Sequence, residues 1–73
     1  MSRLAMINVE SSNIASVGHD PNKSEMFIEF RHGGTYKYPN VSREQFNGIL
    51  RAPSVGKAFN ESGLKPLGVK VIS

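Results

Sequence analysis

The run Ser24-Glu25-Met26-Phe27-Ile28-Glu29-Phe30-Arg31, followed by His32-Gly33-Gly34 and Thr35-Tyr36-Lys37-Tyr38, constrains the fold more than any other part of this chain. Met26, Ile28 and Phe30 alternate with Glu25, Glu29 and Arg31, which is the period of a strand with one buried face. The glycine pair then reverses the chain, and the length of the loop decides which residues meet. A two-residue Gly-Gly turn sets Phe30 opposite Lys37 and Arg31 opposite Tyr36. A three-residue loop, with Gly34 left-handed at a bulge, sets Phe30 opposite Tyr36, Ile28 opposite Tyr38 and Glu29 opposite Lys37. The second register pairs apolar with aromatic side chains on one face and opposite charges on the other. A one-residue slip exchanges the two faces, so the register with matched chemistry is the expected one.

The flanking sequence extends this hairpin in both directions. Ile14 to His19 reads as a preceding strand, closed by a turn at Asp20-Pro21-Asn22-Lys23, where Pro presets the backbone and Asp and Asn tolerate turn dihedrals. A short strand is expected at Met6 to Val9. Pro39 cannot continue the ladder and ends the last strand of the hairpin. Ser42 has the signature of a helix N-cap with Gln45 three residues on, and Phe46, Ile49 and Leu50 form one apolar stripe behind it. Pro53 stops that helix. Ser54 caps a second one whose inward residues are Val55, Ala58 and Phe59 and which ends at Gly63. Lys65-Pro66-Leu67-Gly68 reads as an extended tail. The expected fold class is α+β, a small antiparallel β-meander of about three strands packed on two short C-terminal helices, with the other sheet face open. The expected organisation is an N-terminal arm or short edge strand over residues 1–10, a folded domain over 11–65 and a flexible C-terminal tail over 66–73.

Size and composition exclude several classes of function. A chain of 73 residues makes one domain, and a domain this small buries only about 60% of the surface its unfolded form exposes. With no Cys, it has neither disulfides nor thiolate metal ligands, which fits a reducing compartment. Leu4-Ala5-Met6-Ile7 is far too short for a signal-peptide core, and Gly68 and Lys70 interrupt the apolar run from Leu67 to Ile72, so a soluble protein without membrane attachment is expected. The net charge of +3 is unevenly placed. Residues 1–36 balance Arg3, Lys23 and Arg31 against Glu10, Asp20, Glu25 and Glu29, for −1. Residues 37–73 balance Lys37, Arg43, Arg51, Lys57, Lys65 and Lys70 against Glu44 and Glu61, for +4. The C-terminal half is therefore a candidate surface for an acidic partner, although such asymmetry also suits an ordinary solvated face.

No constellation for catalysis emerges. His19 and His32 lie near opposite ends of adjacent expected strands, with no Cys and no helical His spacing to add metal ligands. His19 beside Asp20, with Ser11, Ser12 or Ser16 upstream, suggests a nucleophile and base only superficially, because neighbours on a strand point to opposite faces. Gly33-Gly34 lies within a hairpin instead of leading into a helix, so neither phosphate-loop fingerprint fits. The expectation is a protein that is not an enzyme, with no metal and no cofactor.

Binding is the remaining class, and two surfaces compete for it. Phe27 falls on the open face among Glu25, Glu29 and Arg31, where a large apolar ring can anchor a partner. The N-terminal arm, with Ile7 and Val9, either completes the sheet edge or lies on it, and an open edge accepts a partner's strand. The rival surface is basic and helical: Arg43, Arg51 and Lys57. Tyr36 and Tyr38, beside Lys37 and Arg31, could stack nucleic-acid bases. In the expected register they share a face with Ile28 and Phe30, which favours core packing with the hydroxyls at the rim. The candidate partner-binding residues are thus Ile7, Val9, Phe27, Arg31, Arg43, Arg51 and Lys57.

Taken in order, Ser12-Asn13-Ile14, Val17-Gly18-His19-Asp20, Met26-Phe27-Ile28-Glu29-Phe30, Gly33, Tyr36-Lys37-Tyr38 and Ala52-Pro53-Ser54-Val55-Gly56-Lys57-Ala58-Phe59-Asn60 resemble the KTSC domain. This short module occurs alone in bacterial and phage proteins and at the C-terminus of some lysyl-tRNA synthetases. The resemblance runs from about Ser11 to Lys65. Two departures stand out: His19 occupies a position where the family often has Tyr, and Pro39-Asn40-Val41 replaces the usual link to the first helix. The synthetase context implies RNA binding. By overall similarity and length the chain is also similar to small phage-encoded regulators of transcription. That resemblance implies a partner, host bacterial RNA polymerase, bound at the N-terminal region of its β′ subunit. It further implies inhibition of σ-dependent promoter recognition, antitermination activity, a monomeric state and a place in the host bacterial cytoplasm. An RNA-binding module of the KTSC type is the alternative.

Overall fold

The structure, a computed structural model, describes residues 6–72. Leu4 and Ala5 of the arm lie outside the described residues. Five strands form one antiparallel sheet in the order β1-β2-β3-β4-β5: β1 (Ile7–Asn8), β2 (Ile14–Asp20), β3 (Glu25–Phe30), β4 (Thr35–Tyr38) and β5 (Val69–Ile72). Two helices, α1 (Arg43–Arg51) and α2 (Val55–Glu61), lie between β4 and β5 in the chain. The architecture is thus the expected α+β meander on two helices, with five strands in place of about three.

The extra strands come from the two ends. Ile7 and Asn8 pair with Val17 and Ser16, so the N-terminal segment completes one sheet edge. The C-terminal segment, expected to be a flexible tail, pairs with β4 through Thr35↔Ile72, Tyr36↔Lys70 and Lys37↔Val69. What reverses the chain is a single 3₁₀ turn at Lys65–Leu67, in which the Leu67 and Gly68 N–H groups donate to the Leu64 and Lys65 carbonyls at 2.8 and 3.3 Å. Buried Leu64 pins that turn to the core. A β-branched Val69-Lys70-Val71-Ile72 run can then pair with the edge that β4 leaves open.

The hairpin register also differs from the expected one. Observed partners are Ile28↔Tyr36, Met26↔Tyr38, Phe27↔Lys37 and Glu29↔Thr35. The loop does hold three residues, Arg31-His32-Gly33, but it begins one residue earlier. Gly33 N–H donates to the Phe30 carbonyl at 3.0 Å, and Phe30 N–H donates to the Gly34 carbonyl at 3.1 Å. Gly33, at φ 111°, is therefore the bulge glycine. Relative to the expected register the partners move by two, which leaves every side chain on its expected face. The anticipated Glu29–Lys37 pair is lost. Lys37 instead reaches Glu25 at 3.7 Å, and Glu29 accepts the Ser16 hydroxyl at 2.8 Å.

A bulge in β2 between Ile14 and Ser16 lets both Ile14 and Val17 face the helices despite their odd spacing. They join Met26, Ile28 and Tyr38 from the sheet and Phe46, Ile49, Val55, Phe59 and Leu64 from the helical layer in one core. The helices start where the caps require. Ser42 Oγ accepts the Gln45 N–H at 3.0 Å, and Ser54 Oγ accepts the Lys57 N–H at 3.2 Å. Gly63, at φ 78°, lies just beyond α2.

Candidate functional site

Two surfaces of this fold can meet another molecule. One is the sheet face that the helices leave uncovered. Phe27 lies there, opposite Gly18 on one side and Lys37 on the other. Phe27 is half-buried and its cross-strand partner Gly18 is buried. Val69 is paired with Lys37, so it extends the same face to the β5 edge; it is 58% exposed, and Val71 two residues on is 42% exposed. Val69 and Val71 fall within the segment expected to be a flexible tail, so the sequence reading places neither on this face. The alternation of β-branched residues around Lys70 was the signal available in the sequence.

The other candidate residues are distributed as follows. Ile7 is exposed on β1, while Val9 is half-buried against the core and its N–H donates to the Ala15 carbonyl at 3.1 Å. Arg31, at the hairpin tip, is already engaged: its Nε donates to the Ser11 carbonyl at 2.6 Å and its Nη2 to that of Val9 at 3.5 Å. Its guanidinium thereby ties the N-terminal arm to the hairpin. Arg43, Arg51 and Lys57 are exposed on α1 and α2. Phe27 lies on the uncovered sheet face and the three helical cations belong to the layer behind the sheet, so these residues do not converge on one site.

The second surface is a groove of about 460 Å³ between the helix-facing side of the sheet and the segment from α2 to Gly68. Ile14, Tyr38 and Phe59 form its buried floor, and half-buried Phe30 and Tyr36 form its wall. The rings are mutually ordered. Phe30 meets Tyr36 edge-on at 5.5 Å, and Tyr38 meets Phe59 edge-on at 5.1 Å. His32 stacks on Phe30 at 5.5 Å with 13° between the planes. Exposed Asn13, Asn60 and Lys65 complete the rim. Tyr36 and Tyr38 do lie under the helices, as the facing of the strand implied, yet they also line this opening. Burial raises the Tyr38 phenol above the ordinary tyrosine value, and the neighbouring Tyr36 charge adds to the effect.

His19 and His32 occupy different surroundings. His32 belongs to the groove rim. His19 stacks on Phe46 of α1 at 5.2 Å, and its Nε2 lies 2.6 Å from the Val41 carbonyl. Among the described residues, no group of three or more His, Asp or Glu side chains could hold a metal ion. No described helix is long and apolar enough to cross a membrane.

This geometry can be set beside known proteins. The KTSC domain pattern matches residues 10–62. The chain belongs to the KTSC domain family. A crystal structure of a KTSC domain protein from Yersinia pestis superposes with a TM-score of 0.82 at 30% identity, covering 97% of this chain and 99% of that one. The likeness therefore extends past the matched segment toward both chain ends. An uncharacterised protein of Stutzerimonas stutzeri strain A1501 is 36% identical over 61 residues, spanning 84% of this chain and 82% of the relative. A protein of Tsukamurella paurometabola is 40% identical over 52 residues, spanning 71% and 78%. Within the KTSC pattern, the Tyr36-Lys37-Tyr38 centre supplies the groove wall and floor, and the Gly56 to Asn60 element supplies its helical side.

Proposed function

We propose that this KTSC domain is a non-catalytic transcription regulator that docks on host bacterial RNA polymerase, through its uncovered sheet face and β5 edge. Docking restrains σ-dependent promoter recognition and initiation and gives antitermination activity. The observation that carries this reading is half-buried Phe27 on the uncovered face together with exposed Val69 and Val71 on β5, the last strand of the sheet, with Lys37 lying between Phe27 and Val69. Such a face suits protein docking, where an aromatic anchor and main-chain pairing supply affinity. The partner's identity comes from the sequence resemblance to phage-encoded regulators.

The test is direct. Tagged protein is incubated with nuclease-treated host lysate and then with purified polymerase holoenzyme, and promoter-dependent run-off transcription is measured. Retention of the polymerase β′ subunit together with reduced σ-dependent transcript supports the reading. Absence of polymerase, with RNA recovered from untreated lysate, overturns it in favour of RNA binding.

A further inference from the structure

We propose that the ring-lined groove between the β3–β4 hairpin and α2 is a nucleotide site, taking a base against its aromatic wall and a phosphate at Lys65.

The groove has the dimensions and layering of a small-ligand site. Its 460 Å³ lies within the range of about 300–1,000 Å³ common to such pockets. The floor of Ile14, Tyr38 and Phe59 is buried and carries the Tyr38 hydroxyl as its polar group, while the carboxamides and the lysine lie on the exposed rim. Rings dominate the lining, and π faces favour a planar aromatic guest over an aliphatic one. Phe30, Tyr36 and His32 are held by their own ring contacts, so the wall exists before a ligand arrives.

The rim selects among planar guests. Asn13 and Asn60 each present a carboxamide, which carries donors and an acceptor in one plane and suits the edge of a nucleobase. Among the described residues, Lys65 brings an ammonium to the rim and no carboxylate lines the groove. That asymmetry favours a guest bearing negative charge, and a lysine ammonium is a suitable point partner for a phosphate. Support behind the rim is rigid: Ser11 Oγ accepts the Asn13 and Ile14 N–H groups at 3.3 and 3.2 Å, fixing the loop that carries Asn13. The site lies on the helix-facing side of the sheet, whereas Phe27 lies on the uncovered side. Its success or failure is therefore independent of polymerase docking.

The experiment is a ¹H–¹⁵N NMR titration of the whole chain with the four ribonucleoside 5′-monophosphates, the parent nucleosides, inorganic phosphate and a trinucleotide. Saturable shifts at Phe30, Tyr36, Asn60 and Lys65, stronger for a monophosphate than for its nucleoside, are expected. Lys65→Gln should weaken monophosphate binding about fivefold while leaving nucleoside binding unchanged. Asn60→Ala should weaken both, and neither exposed substitution should move the remaining spectrum. A trinucleotide that binds tighter than the monophosphate supports the site as a reader of a single strand, and equal binding supports it as a receptor for the free nucleotide. Absence of saturable shifts at millimolar ligand overturns the proposal. So do shifts centred elsewhere, or equal response to nucleoside and monophosphate.

Discussion

The Nε2 atom of His19 lies 2.6 Å from the carbonyl oxygen of Val41, joining the end of β2 to the link between β4 and α1. A carbonyl only accepts, so Nε2 carries the proton and donates. Val41 itself is fully buried, and its N–H donates to the Ser24 carbonyl at 2.8 Å. The Pro39-Asn40-Val41 link is thus held from both sides, once by the end of β2 and once by the β2–β3 turn. Asn40, at φ 56°, supplies the left-handed step that aims Val41 inward.

Replacing His19 with Ala removes both the bond to Val41 and the ring packing on Phe46. The expected loss is about 2–3 kcal/mol, combining an unsatisfied carbonyl with a lost buried ring contact. Urea denaturation measures it. A change below about 0.5 kcal/mol, the range of ordinary surface substitutions, would show that the link does not depend on this bond.

Gly68 packs against Tyr38 so closely that a Cβ there would meet ring carbon Cε2 at 2.5 Å. Tyr38 is itself buried under Phe59, so the ring has little freedom to yield. Gly68→Ala should cost about 1–3 kcal/mol as overpacking and detach β5 from β4. Hydrogen exchange of the Val69 and Val71 amides reads the detachment; unchanged protection of both would refute it.

Tyr38 titrates above the ordinary tyrosine value of 10.0 because burial disfavours its phenolate. In the unfolded chain the phenol ionises first, so the folded state binds more protons in the window between the two values. Stability from this group is complete below about pH 10 and is lost as pH rises through the folded value. Tyr38→Phe removes the titration. Between pH 9 and 11.5 the parent should therefore lose more stability than the variant, as followed by thermal melts across that range. Parallel pH profiles would contradict the assignment.

Phe27 contributes to the uncovered face more than to the core. Phe27→Ala should lower stability by only about 1 kcal/mol while weakening polymerase retention severalfold. Unfolding of the variant would place the ring in the core instead. The salt dependence of retention supplies a second check: an apolar protein contact should fall shallowly with salt, whereas nucleic acid binding falls with a log–log slope of about −0.9 per duplex phosphate.

Local pattern carried much of this fold. The alternation at Met26, Ile28 and Phe30 named the buried face of β3, and Ser42 and Ser54 marked the helix starts, because caps and strand faces depend on neighbours in sequence. Hairpin register was legible only to parity. Which glycine took the bulge depended on where Phe30 could close its hydrogen bonds, and a two-residue shift preserves faces. The groove was less legible, since Tyr36, Lys65 and Gly68 converge through contacts that no local periodicity encodes.

The sequence by itself determined that this is a small cysteine-free α+β domain, with a strand meander, two capped helices and a tyrosine pair facing the core. Only the tertiary structure decided that Val69–Ile72 is a fifth strand, that Arg31 ties down the N-terminal arm, and that the tyrosine pair lines an opening. The physical reason is shared. A chain end becomes a strand only when an edge of matching spacing waits for it. A side chain becomes a clamp or a pocket wall only when distant segments bring it a partner.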